Sequence, residues 1–316
     1  MPARTPADLL DPSVLTFGLP APPHARGVRE YEALGAESLW VGGHVSSLNP
    51  VPETLTALAR LSAVSEVAVL GTAVVLLPLF PPAIVAKQVS DVDRASDGRV
   101  VLGIGVGGEY PHEFSACQVP LAERGARTNE SIPLLRRLWS GETVDHDGRF
   151  YPMHGVRLQP PPAQPGGPPV IVAGRKEPAM RRAARLGDGW LPYLYSARRY
   201  RESVTRIREH AAQAGRDLSN FAWMLYTFVN VRDDAAQARR ELAQFIGGTY
   251  RQDFEEMLPR VAVVGTRDDV VEQLLEFVDA GVRHVTFTPC PRDDGDNLVR
   301  VLVDEVVPEL RARAGL

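Results

Sequence analysis

The chain has 316 residues, a formal net charge of −4 and 44% hydrophobic residues, which is apolar material for a sizeable core. The slight acidity and the lack of a basic block exclude the usual signature of a nucleic-acid partner and suit a soluble protein with a small-molecule partner. Two cysteines, Cys117 and Cys290, cannot make a disulfide framework or a zinc cage and fit a reducing compartment, the cytoplasm.

Residues 1–12 carry Arg4, Asp8 and Asp11 and no apolar run, so they do not read as a signal peptide. From there short Val/Ile/Leu-rich runs alternate with longer segments of helical spacing. Strands are predicted at 14–19, 38–41, 67–76, 100–106, 170–173, 190–193, 221–231 and 282–288. Helices are predicted at 24–35, 52–65, 82–96, 122–139, 178–186, 197–214, 233–246, 268–280 and 297–313. Residues 67–86 are charge-free and long enough to span a bilayer. Gly71, Pro78, Pro81 and Pro82 would break one helix there, so the run reads as a buried strand, a loop and a new helix, not a membrane span.

Boundary residues support these elements. Gly35, Gly187, Gly215 and Gly281 stand where left-handed C-caps suit glycine; Pro82 and Pro178 fit first helical turns; Asp233 and Asp268 suit N-caps. Pro133 falls inside a helical pattern and predicts a kink or a late start. Continuous apolar strands imply a parallel sheet with helices outside. Eight strand–helix units in one chain imply a single-domain α/β fold over residues 1–316, a (β/α)8 TIM barrel. Its main interruption, an insertion at about 141–169, holds a turn at Asp147 and Gly148 and a Pro-rich stretch. It reads as an inserted hairpin and loop over the barrel mouth.

In such a barrel chemistry gathers at the C-terminal strand ends. After the second strand, Gly42 and Gly43 precede His44, a residue able to act as acid, base or donor near neutral pH, or simply a structural histidine. The third strand carries Gly71, Thr72, Ala73 and Val74, small at first and bulkier after, a surface for a flat ring or plain core. The fourth ends in Gly103, Gly105, Val106, Gly107, Gly108 and Glu109. These glycines satisfy G-x-G-x-x-G, but no apolar helical period follows and no acid stands at the next strand end, so a Rossmann site is rejected. What remains is a backbone that something flat or anionic can approach, with Glu109 as a possible acid. The fifth ends in Ala173, Gly174, Arg175 and Lys176 before a helix, which suits a phosphate or serves as an ordinary loop. The other histidines lack metal-ligand spacing, and no metal site is expected.

The chain resembles the luciferase-like flavin or deazaflavin oxidoreductases through the run 33–41 before His44, then 70–74, 82–87 and 98–107, residues 123–125, the run 186–190 ending in Gly189 and Trp190, and residues 264–266. The resemblance covers about residues 17–310. It implies a (β/α)8 barrel with an insertion, commonly a homodimer, and a tricyclic ring at the mouth. The ring would rest on a bulge with a cis peptide, here Ala73-Val74 by position, beside Thr72, Gly105, Val106, Gly107 and Gly108. The phosphate would lie near Ala173, Gly174 and Arg175, with Gly189 and Trp190 nearby. The implied activity is hydride transfer between coenzyme F420 and a small organic substrate, with His44, and secondarily Glu109, handling the proton. An FMN-dependent monooxygenase, a cofactor-free phosphate-binding barrel and a non-catalytic flavin-binding protein are the rivals. Many deazaflavin members carry an acid just before the histidine; this chain has Gly43, so the carboxylate that would orient His44 is missing from that position.

Overall fold

The computed structural model describes residues 4–250 and 253–316. Eight parallel strands close into a ring: β1 (Thr16–Pro20), β2 (Ser38–Val41), β3 (Val69–Thr72), β4 (Val100–Gly105), β5 (Val170–Ala173), β6 (Gly189–Leu191), β7 (Ala222–Val231) and β8 (His284–Pro289). The ring runs in chain order and closes through β6–β7, β7–β8 and β8–β1 pairs. Val75 and Leu76 extend β3 along β4, and Val263–Gly265 adds a strand to β7 outside the ring.

The strands are apolar on both faces because both faces are covered. Leu39, Leu70, Val100, Val170 and Leu225 point outward against helices. Their neighbours Trp40, Val69, Val101, Ile171 and Met224 fill the barrel with Leu9 from the first helix, Pro6–Leu10. This alternation is the period-two side-chain rule of a strand applied to a closed barrel. Trp40 is the largest inner residue, and its space comes from the adjacent strands: a Cβ at Gly18 or at Gly71 would collide with its indole. Gly71 is therefore a packing glycine, and the expected flat-ring surface on β3 narrows to Ala73 and Val74.

Several boundaries differ from expectation for local reasons. Thr266, not Asp268, caps the helix Arg267–Asp279, in a capping box with Asp269. Asp234, not Asp233, accepts the Ala236 N–H at the start of Ala235–Tyr250. Gly187 ends its helix in extended backbone, not left-handed; Val172 packs where its side chain would be. Pro133 sits inside an unbroken helix, Arg124–Trp139. The last helix is interrupted by a wide π turn at Leu302–Val306, which ends two residues before Pro308, a residue with no N–H to donate back.

The insertion does contain a hairpin, Thr143–His146 against Met153–Arg157. It packs along the outside of the helix Arg124–Trp139, and its tip reaches Glu123 and Arg127 at the mouth end of that helix. It leaves the C-terminal end of one barrel helix and returns to the N-terminal end of β5, so it starts on the opposite face. Glu130 on Arg124–Trp139 holds it through His146 and the N–H groups of Phe150 and Tyr151. The strap after it is bound to the outside of the helix Pro82–Ala95, where Ser90 donates to the Pro160 carbonyl and Gln164 to Asp93. No helix among the described residues is long and apolar enough to cross a membrane.

Candidate active site

Because all ring strands are parallel, their C-terminal ends share one face. Strands β2, β3, β4 and β5 are successive neighbours there. Their trailing residues, His44, Ala73 with Val74, the 105–109 loop and the 173–175 turn, thus form one continuous arc of the rim.

His44 stands three residues past β2. Its loop doubles back at once: the His44 N–H donates to the Pro52 carbonyl. A side chain at Gly43 would collide with that same carbonyl, and one at Gly42 with the Ala73 carbonyl. The imidazole is part-exposed, and its Nδ1 lies 3.1 Å and 3.3 Å from the two oxygens of Glu113. Glu113 is fully buried and also accepts the N–H groups of Val45 at 3.1 Å and Ser46 at 3.4 Å. The Tyr110 ring meets the imidazole edge-on, centroids 4.9 Å apart. Glu113 comes from a short helix, Pro111–Ala116, in the segment where no helix was expected. A carboxylate thus meets the imidazole from the loop after β4, while position 43 carries none. A small hollow beside His44 is lined by Val45, Glu53, Thr54, Leu76 and Phe80.

Beyond Thr72 the Ala73-Val74 peptide is cis, at the position expected from the resemblance. Ala73 and Val74 are both part-exposed and present a small apolar surface. Thr72 itself is fully buried, and its hydroxyl donates to the Gly103 carbonyl at 2.7 Å. It joins β3 to β4 and turns no hydroxyl to the mouth. Next along the arc, Gly107 and Gly108 have φ of 62° and 109°, the left-handed region that glycine occupies freely. The Phe114 ring lies under Gly107 and the Arg124 side chain beside Gly108. Glu109 is exposed; burial raises the Tyr193 phenol pKa, opposed by Arg175, with a smaller upward push from the Glu109 charge.

The 173–175 turn leads straight into the helix Glu177–Leu186. Gly174 has φ 132°, and a Cβ there would stand 2.7 Å from that of Ala179, so only glycine lets the helix start so close to the strand end. The Arg175 guanidinium lies 4.6 Å from the Tyr193 ring centroid, and Arg199 donates to the Arg175 carbonyl. A cationic side chain beside a helix start is a favourable place for a phosphate.

Two expected ligand contacts are not at the mouth. Trp190 is fully buried against Tyr195 and Tyr200, and its indole N–H donates to the Gly174 carbonyl at 2.8 Å. It supports the anion turn from behind. Gly189 is the first residue of β6, paired with Ala222 at the start of β7, so it lies toward the opposite end of the barrel. Tyr110 and Glu113 were missed as neighbours of His44. Nothing in the spacing links positions 44 and 113; the available signal was Pro111 followed by an acid in a first helical turn.

The fold that carries this rim, with its ionisable histidine, apolar platform, glycine-lined wall and cationic helix start, is shared with known proteins. The chain belongs to the luciferase-like monooxygenase family, whose profile matches residues 5–284. An F420-dependent glucose-6-phosphate dehydrogenase of Nocardia farcinica is 29% identical over 311 residues, covering 86% of each chain. An uncharacterised protein of Mycobacterium tuberculosis is 34% identical over 167 residues, 53% of this chain, and the match spans 57% of that relative's length. Among solved structures, an F420-dependent secondary alcohol dehydrogenase in complex with an F420-acetone adduct aligns with a TM-score of 0.82 at 16% identity. The alignment covers 94% of this chain and 99% of that one.

Proposed function

We propose that the protein is an oxidoreductase that passes a hydride between coenzyme F420 and a small organic substrate at the rim arc. The observation that carries this reading is the contiguity of His44, Ala73 with Val74, the 105–108 wall and the turn at Gly174 and Arg175 on one face. An elongated coenzyme with a flat ring and an anionic tail needs those features in that order. Bound there, the deazaflavin supplies the hydride chemistry. The chain does the rest. Ala73 and Val74 would floor the ring. The N–H groups of Gly107 and Gly108 would face it. Arg175 and the first turn of Glu177–Leu186 would hold the phosphate. His44 would exchange the accompanying proton at the substrate oxygen, with Glu109 as the second candidate. The N. farcinica relative's name supports F420.

An FMN-dependent monooxygenase is the second reading, favoured by the description of the family profile. A homodimer goes with either, inferred from the resemblance alone; sedimentation at micromolar concentration tests it. Equilibrium titration with F420 and with FMN, followed by quenching of protein fluorescence, separates the two readings. F420 is expected to bind more tightly. Saturable FMN binding with no F420 binding would replace the first reading with the second, and failure of both would remove each.

A further inference from the structure

We propose that Glu113 is the positioning residue for His44. It holds the imidazole in the tautomer with hydrogen on Nδ1 and leaves Nε2 as the atom that exchanges a proton at the mouth. What that proton accomplishes rests on the functional reading above; the contact itself does not.

Donors and acceptors decide the tautomer. The Glu113 carboxylate accepts from two backbone N–H groups, those of Val45 and Ser46. A carboxylate held by fixed donors acts as an acceptor, so the hydrogen in its contact with His44 Nδ1 belongs to the imidazole. A neutral imidazole carries one such hydrogen, and Nε2 is left with its lone pair. The ring cannot turn freely: Tyr110 flanks it edge-on and the Glu113 side chain is fully buried. The other ionisable groups around the pair are Glu53, which lines the hollow with His44, Cys117, which feels the Glu113 charge, and Glu109 and His112 on the loop that carries Glu113.

The same contact ties two rim loops together. Residues 44–46 follow β2; Glu113 follows the glycine wall after β4. One carboxylate therefore fixes the histidine and couples its loop to the loop facing the ring. The steric exclusion at Gly43 explains why the acid stands here and not next to the histidine.

The test combines nitrogen NMR of the cofactor-free protein, labelled at histidine, with steady-state kinetics. In the native protein His44 should appear as the Nδ1–H tautomer. In Glu113→Gln the amide oxygen should stay with the two backbone donors and its NH2 should meet Nδ1, forcing the Nε2–H tautomer. The kcat should then fall by about 10²- to 10⁴-fold, the range for losing a correctly poised acid–base group, with cofactor affinity kept. A native Nε2–H tautomer would overturn the proposal without any variant being made. So would a Gln variant with unaltered kcat. If the native protein shows the Nδ1–H form, the variant reverses it and neither protein binds F420 or FMN, the positioning stands and the functional reading falls.

Discussion

His284 is buried inside the barrel among neutral groups. Its ring nitrogens meet the hydroxyls of Thr16 at 2.8 Å and Thr286 at 3.2 Å, with the Trp40 ring alongside. Burial lowers its pKa from the usual 6.5 to about 3. The unfolded chain protonates this imidazole below 6.5 and the native one only near 3. Between those values the unfolded state binds more protons, so stability falls as pH falls. The slope from this one group is about 1.4 kcal/mol per pH unit. Urea unfolding of the native protein and of His284→Gln at pH 7 and pH 4.5 checks it. The native protein should lose more stability over that interval, and equal losses would contradict the assignment. His284 had no functional role in the sequence reading, and its burial gives it a structural one. Trp190 shows the limit of that reading: a tryptophan lining a ligand and one packed behind it look the same in a sequence. The full burial of Trp190 and its indole hydrogen bond to Gly174 tell them apart.

At the scale of elements, the strands were legible because a parallel barrel strand must be apolar on both faces, a strong signal even in short runs. The start and end of β2 and β5 match the expected residues. Loops were less legible, because their paths depend on contacts with distant segments. The insertion at 141–169 was read correctly as a hairpin, but its placement is set by Glu130, Ser90 and Asp93, and no local pattern announces those partners. The β2 loop is a similar case: Gly42 and Gly43 announce a tight turn but not what crowds it. The crowding makes a prediction. Gly43→Ala places a Cβ against the Pro52 carbonyl, an overpacking that costs about 1–3 kcal/mol. The variant's thermal midpoint should fall. A midpoint equal to that of the native protein would show that the loop can relax, and that the missing acid at position 43 has another cause.

At the scale of the whole molecule, the ring order brings four strand ends from widely separated parts of the chain onto one arc. The Glu113 bridge and the Trp190 support then fix that arc from behind. The resemblance in the sequence located most of the arc, since its motifs stand at strand ends. The linkages within it needed the fold, because the partners are far apart in sequence and of ordinary residue types. The proposed function requires a ring-bearing coenzyme to lie across this arc with its phosphate at the far end from His44. A crystal structure of the protein soaked with F420 measures that directly. The ring is expected over Ala73 and Val74, with the phosphate within hydrogen-bond reach of the Gly174 and Arg175 turn. A phosphate bound elsewhere, or a ring seated away from β3, would contradict it.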